Sequence, residues 1–183
     1  MTGSISLESV RRYSTSRGRK ENWEEPFSLK KQLYPMKQPI KYQYGLTLKV
    51  RDYECDLQGV VNNSNYQCYM EHTRHEFWLA LGDSFAEMHE EGLDLFVYKV
   101  SITYHRSLRS GDTFHTALRA RREGAKLIFD QIIVRSDGVK CASGVVEAVA
   151  VQHGRTTRGE CFDDIMARAV AYSESHPYDL TIL

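Results

Sequence analysis

The chain has 183 residues, a size at which one domain can bury a core without disulfide or metal staples. Its 24 basic and 24 acidic residues cancel, which excludes the overall field that gathers nucleic acid or acidic lipid. No apolar run approaches the ~20 residues that span a bilayer, the N-terminus lacks the apolar stretch of a secretory signal, and four cysteines without a C-x-x-C pair read as reduced thiols in a cytoplasmic compartment.

Residues 1–35 are dominated by Ser, Arg, Lys and Glu and have no hydrophobic period, so they read as a disordered N-terminal tail ahead of a domain over residues 36–183. The tail carries seven Lys/Arg and four Asp/Glu, a balance of +3, which leaves 17 basic and 20 acidic residues, a balance of −3, in the domain. Its Arg and Ser content also suits an organelle transit peptide, which Glu8 and the acidic cluster from Glu21 to Glu25 oppose. Met36, just ahead of the patterned region, offers a third reading as the true start.

Tyr44, Leu46, Leu48 and Val50 alternate with Gly45, Thr47 and Lys49, which predicts a first strand within Tyr42 to Tyr53. Asn62, Asn63 and Ser64 are N-cap types, and Tyr66, Met70, Thr73, Phe77 and Leu81 then recur at helical spacing. They predict a helix of about five turns that stops at Gly82. Cys68, Trp78 and Leu79 carry apolar surface to its far side, so most of its girth should be wrapped by protein. A short second helix is expected from Ser84 to Glu90.

From Leu93 to His153 the chain reads as strand. Tyr98, Val100, Ile102 and Tyr104 alternate with Lys99, Ser101, Thr103 and His105. Turns at Ser110-Gly111-Asp112, Gly124-Ala125 and Ser136-Asp137-Gly138 lead into further strands from Thr113 to Arg121, Leu127 to Arg135 and Cys141 to Gln152. Such short links predict an antiparallel meander of these four strands. A helix from Phe162 to Tyr172 closes the chain. One sheet curled around one long helix lets each bury the other's apolar face, so the expected architecture is α+β, a hotdog fold with about five strands. Its open sheet edge and the far side of the helix call for a homodimer or homotetramer.

The segment from Arg51 to Tyr66 joins strand to helix and carries the chemistry. In the pattern D-x-x-G-V-V-x-x-x-x-Y, matched by Asp56, Gly59, Val60, Val61 and Tyr66, it resembles the acyl-CoA thioesterases of the 4-hydroxybenzoyl-CoA thioesterase family. Glu71, Arg74 and Glu76 fit that family's E-x-x-R-x-E spacing, and Arg109, Gly111 and Asp112 look like its R-x-G-D turn. The loop is also similar to that of acyl-carrier-protein thioesterases, D-x-N-x-H-V-N-N-x-x-Y, through Asp56, Val61, Asn62, Asn63 and Tyr66. Gln58 stands there in place of Asn and Val60 in place of His, so a mechanism needing that His has no residue here. The resemblance implies a thioester hydrolase of fatty acid metabolism that takes acyl-CoA or acyl-ACP, needs no cofactor and spans roughly residues 42–153.

The residues support that chemistry on their own terms. A thioester carbonyl needs a nucleophile or activated water, and a donor for the charge that develops on its oxygen. Asp56 can supply the first, as nucleophile or as base on water. The free N–H groups at the helix start, that of Asn63 above all by its place in the family pattern, can supply the second. Gln58 is a candidate for orienting water. Glu71 is a second candidate carboxylate, set against an ion pair with Arg74. Gly59, Val60, Val61 and Tyr66 are assigned to substrate binding, Gly59 because it allows close backbone approach. Arg109 is assigned there too, and with His105, Arg106, Arg119, Arg121 and Arg122 could meet coenzyme A phosphates or an acidic carrier protein. Tyr53, Tyr69, Trp78 and Phe96 suit an acyl pocket or plain core packing. His72 and His75 lie three apart, but no third ligand accompanies them and no metal is expected. Two other readings stand beside hydrolysis: a hydratase, which expects a His near Asp56, and a non-catalytic module that binds acyl thioesters. Because the core pattern begins after Met36, deleting residues 1–35 is expected to leave solubility and the melting temperature unchanged, as thermal denaturation of the truncated chain would show.

Overall fold

The computed structural model describes residues 41–180. The expected tail, residues 1–35, lies outside the described residues.

The first strand, β1 (Tyr44–Lys49), is shorter than the alternation alone predicts. It stops because Val50 closes onto the turn before the third strand, its N–H donating to the carbonyl of Asp112 at 2.9 Å while its own carbonyl accepts from the Gly111 N–H at 3.1 Å. A single 3-10 turn over Asp52–Glu54 follows. Helix α1 (Asn63–Ala80) then begins where the N-cap residues predict, with the Asn62 side chain accepting the Ser64 N–H at 3.0 Å. Helix α2 (Phe85–Glu90) is capped by Ser84. Four strands follow, β2 (Leu93–Tyr104), β3 (Thr113–Glu123), β4 (Lys126–Arg135) and β5 (Lys140–Gln152), then the two-residue β6 (Arg155–Thr156) and helix α3 (Cys161–Ser175).

All neighbours in the sheet are antiparallel, in the order β1-β3-β4-β5-β2, with β6 beside β5. The expected four-strand meander therefore holds only for β3, β4 and β5. β2 lies at the far edge beyond β5, and residues 105–112 carry the chain back across the sheet to β3. Three strand spacings are ~14 Å, and a link of that length reaches up to ~26 Å. The side chains explain the edge position, since Phe96, Val97, Tyr98 and Tyr104 are exposed where β3 and β4 bury theirs.

The sheet curls around one face of α1, which buries Tyr66, Tyr69, Met70, Thr73, Arg74, Phe77 and Trp78. Two apolar clusters result. One packs the first half of α1 against Val50, Leu108, Phe114, Ile133 and Ala142, and the other packs Phe77 and Trp78 against Leu118, Phe129, Val146 and the Phe162, Ile165 and Ala169 face of α3. Between them Gly144 lets α1 sit close, because a methyl group there would come within 2.8 Å of the Met70 sulfur. The broad wrapping expected for α1 is absent within one chain, where Cys68 and Leu79 are exposed. Arg168 of α3 closes the C-terminal end, donating to the Leu81 carbonyl at 3.0 Å and pairing with Asp83 at 2.9 Å. The four thiols are free, and no described helix is long and apolar enough to cross a membrane.

Tyr44 joins β1 to both helices, its ring 5.9 Å from Phe77 and 6.0 Å from Tyr172. Burial, with the nearby charge of Glu76, pushes its phenol from 10.0 up to about 12. The unfolded phenol ionises near 10 and the folded one only near 12, so this contribution is whole below pH 10 and is lost as pH rises towards 12. Tyr44→Phe should flatten the fall of the urea midpoint with pH across that window.

Candidate active site

The loop between β1 and α1 is held by a buried carboxylate. Glu54, 6% exposed, accepts the Tyr69 hydroxyl at 2.7 Å, the Arg51 N–H at 2.7 Å and the Arg51 guanidinium at 3.3 Å. Its backbone carbonyl accepts the Asn62 N–H at 2.9 Å and the Asn65 side chain at 2.7 Å, tying the loop to the helix start. Burial and the Glu54 contact push the Tyr69 phenol well above its usual range, so it stays a donor.

From this anchor residues 55–61 form a small closed loop, with Cys55 and Val61 bridged and the Asp56 N–H donating to the Val60 carbonyl at 2.9 Å. A tight turn at its tip brings the Gly59 N–H to the Asp56 carbonyl at 3.0 Å, and Gly59 has φ 71°, a conformation that costs glycine nothing. The Asp56 carboxylate accepts the Gln58 N–H at 2.8 Å, which fixes its direction.

This carboxylate faces a cleft of about 400 Å³ lined by Asp56, Gln58, Val60, Val61, Asn63, Tyr66, Tyr104, His105, Arg106 and Ser107. One wall is the loop and the start of α1; the other is the end of β2 and the link that follows. The walls are locked together: the Val61 N–H donates to the Leu108 carbonyl at 2.8 Å, the Leu108 N–H to the Tyr66 hydroxyl at 2.9 Å, and the Tyr104 hydroxyl to the Asn63 carbonyl at 3.1 Å. At the helix mouth the Asn62 side chain takes the Ser64 N–H and the Asn62 carbonyl takes that of Asn65. Among the described residues the Asn63 N–H has no partner, so it is the amide available to a ligand, at the positive end of an 18-residue helix. The cleft thus joins an oriented carboxylate to a free backbone donor.

Eight of the residues singled out from sequence line this cleft: Asp56, Gln58, Val60, Val61, Asn63, Tyr66, His105 and Arg106. Gly59 shapes the turn without lining it. Glu71 lies eight residues along α1 from Asn63, ~12 Å up the axis, and half exposed beside His75 at 3.9 Å instead of paired with Arg74. Arg109 sits in the tight turn before β3, its N–H donating to the Asp112 carboxylate at 2.8 Å, outside the cleft. Arg119 and Arg121 pair with Asp130 and Arg122 with Asp163. Tyr53 and Phe96 are exposed, while Tyr69 and Trp78 belong to the core. His105 and Arg106 were read from sequence as cations for coenzyme A phosphates or a carrier protein without being grouped with Asp56, and Tyr104 and Ser107 were not assigned to the site; their shared place just before the R-x-G-D turn was the signal that could have joined the four. His105 brings an imidazole to the cleft, its Nε2 3.0 Å from the Ser143 hydroxyl. Among the described residues no cluster of His, Cys, Asp and Glu could hold a metal ion.

Residues 50–171 match the family model of the thioesterase-like superfamily. The chain is 39% identical over 95 residues to the chloroplastic acyl-acyl carrier protein thioesterase ATL3 of Arabidopsis thaliana, which covers 50% of this chain and 49% of that protein. It therefore spans about half the length of the curated relatives it matches first. Among solved structures, a 1,4-dihydroxy-2-naphthoyl-CoA thioesterase from Synechocystis superposes with a TM-score of 0.64 at 15% identity, over 73% of this chain and 98% of that one. A thioesterase from Thermus thermophilus in complex with coenzyme A and zinc gives 0.61 at 21% identity, over 75% and 98%. At these identities the two structures establish the hotdog fold.

The Glu54 anchor is the structural premise of the cleft. Glu54→Leu should cost about 1–3 kcal/mol by stranding the buried Tyr69 hydroxyl, and adding Tyr69→Phe should recover part of that loss in chemical denaturation.

Proposed function

The chain belongs to the thioesterase-like superfamily, and on that premise we propose that it hydrolyses acyl thioesters of coenzyme A or acyl carrier protein in the Asp56 cleft, as its likeness to the 4-hydroxybenzoyl-CoA thioesterases implies. The observation that carries this reading is the pairing of an oriented carboxylate with the free Asn63 N–H in one cleft. The amide receives the carbonyl oxygen as it takes on charge. Asp56 attacks the carbonyl carbon, the C–S bond breaks to an anhydride and a thiolate, and the water that opens the anhydride supplies the thiolate's proton; or Asp56 removes a proton from a water that attacks in its place and passes it to the sulfur as the C–S bond breaks. Gln58 and His105 stand where they can hold that water, and Arg106 where it can meet a phosphate or an acidic carrier protein.

Glu71, half exposed and eight residues along α1 from Asn63, is the second candidate carboxylate, the one to vary next if Asp56 proves dispensable. Residues 1–35 are a tail that the hydrolytic domain does not need. The β2 edge, with Phe96, Val97 and Tyr98 exposed, is where a second copy of the chain adds its own edge to make a dimer, the unit from which a tetramer is built. Free thiols suit a reducing compartment such as the cytoplasm, while the Arabidopsis relatives carry the word chloroplastic in their names.

The Asp56 bond to the Gln58 N–H also suits an ordinary turn aspartate, so a non-catalytic acyl-thioester-binding module is the second reading. One variant separates the two. Asp56→Asn keeps an oxygen to accept the Gln58 N–H but loses nucleophilicity and basicity. Hydrolysis of acyl-CoA, followed by release of free thiol, should fall ~10² to 10⁴-fold with the melting temperature nearly unchanged. Parent-like turnover in the folded variant would remove Asp56 from the reaction.

A further inference from the structure

A second, smaller pocket lies between the C-terminal half of α1, helix α2 and strands β2, β5 and β4. It measures about 200 Å³ and is lined by Trp78, Phe85, Leu95, Val97, Phe129 and Ala148, with Glu71, Arg74 and His75 the charged and polar residues on its wall. It shares no lining residue with the Asp56 cleft. Arg74 stands eleven residues from Asn63 along α1, ~16 Å up the axis.

Arg74 is the anomaly in this pocket. It is 8% exposed, and burial lowers its pKa against the opposing pull of the Glu71 charge. A cation removed from water is expected to sit against a carboxylate, yet among the described residues Arg74 forms no ion pair. Its hydrogen-bond partner is neutral: one guanidinium nitrogen donates to Gln131 Oε1 at 2.9 Å, and Gln131 in turn donates to the Met70 carbonyl at 2.9 Å. The guanidinium carbon lies 6.0 Å from the centre of the Phe129 ring. Glu71, the nearest carboxylate on the same helix, is 3.9 Å from His75 and half exposed to water.

We infer that this pocket binds the carboxylate of a small apolar acid, with the carboxylate on the unpaired edge of the Arg74 guanidinium and the apolar body against Trp78, Phe85, Leu95 and Phe129. The guanidinium offers donors in the fork geometry that a carboxylate matches, Trp78, Phe85, Leu95 and Phe129 offer apolar surface, and the half-exposed Glu71 and His75 complete the wall. The volume lies below the ~300–1,000 Å³ of pockets for drug-sized ligands, which limits the body to a ring or a short chain. The carboxylate has two sources: a free acid, or the distal end of a longer acyl thioester.

Saturation-transfer NMR on the full chain tests the site without relying on hydrolysis, using benzoate as probe and benzamide as its uncharged match. Benzoate should bind saturably and benzamide at least about tenfold more weakly. Arg74→Met, which keeps the length of the side chain, and Gln131→Glu, which gives Arg74 an internal carboxylate, should each weaken benzoate by a similar factor, while Asp56→Asn leaves it unchanged. Should neither buried variant fold, His75→Trp on the half-exposed wall replaces them and should exclude the probe. Absence of saturable binding, equal binding of benzamide, or benzoate binding indifferent to the variants would overturn the proposal. Competition then identifies the source. Displacement of benzoate by a carboxyl-terminated acyl-CoA, and not by its methyl-terminated counterpart, assigns the carboxylate to a thioester's distal end; displacement by neither assigns it to a free acid. Both results keep the carboxylate on Arg74.

Discussion

Seven side chains of α1, from Tyr66 to Trp78, leave water on one face, and the sheet exists in its curled form because it has to cover them. The rest of the architecture follows from that demand. β3, β4 and β5 supply the floor, with Leu118, Phe129 and Val146 almost without exposure, and α3 brings Phe162 and Ala169 to the end that the sheet does not reach. Two polar residues on the same face, Thr73 and Arg74, are buried with it and need partners from the sheet. Thr73 finds Thr116 at 2.9 Å, and Arg74 finds Gln131. These contacts fix the rotation of the helix over the sheet, and with it the direction in which the first turn of α1 points its amide.

Much of this was legible in the sequence, because periodicity records burial. The strands from Thr113 to Gln152 alternate as a half-buried sheet must, and the turns between them carry the residues that turns require. The loop motif around Asp56 was legible for a similar reason, since its residues are close in sequence and act through local backbone geometry. What escaped was long-range. The place of β2 beyond β5 depends on pairings such as Val100 with Val146, which no local pattern encodes. The second wall of the cleft, Tyr104 to Ser107, meets Asn63 and Val61 only after the chain has crossed the sheet. Glu54 carried no assignment in the sequence, and Arg74 looked like the partner of Glu71. The contacts that define them come from Tyr69 and from Gln131, fifteen and fifty-seven residues away.

Asp56 occupies two roles at once. As the first residue of a tight turn it stabilises the loop through the Gln58 N–H, and the same bond holds its carboxylate towards the cleft. The turn thereby does the work that a packed wall does elsewhere, restraining a half-buried carboxylate while leaving an oxygen for other contacts. Across the cleft, Tyr66 is restrained by the opposite means, buried among Tyr69 and Tyr104 rings with its hydroxyl occupied by the Leu108 N–H.

The topology also sets the order in which this cleft can come into being. β3, β4 and β5 are joined by short turns and can pair early from local contacts, whereas β1 must find β3, and β2 must find β5, across much longer stretches of chain. Both walls of the Asp56 cleft belong to those late pieces: one follows β1, the other follows β2. The loop from Cys55 to Val61 and the link from His105 to Asp112 therefore close on each other only when both edges of the sheet have docked. Because both walls depend on the edges of the sheet, amide hydrogens such as that of Val61 should exchange through a partial opening that the meander does not share.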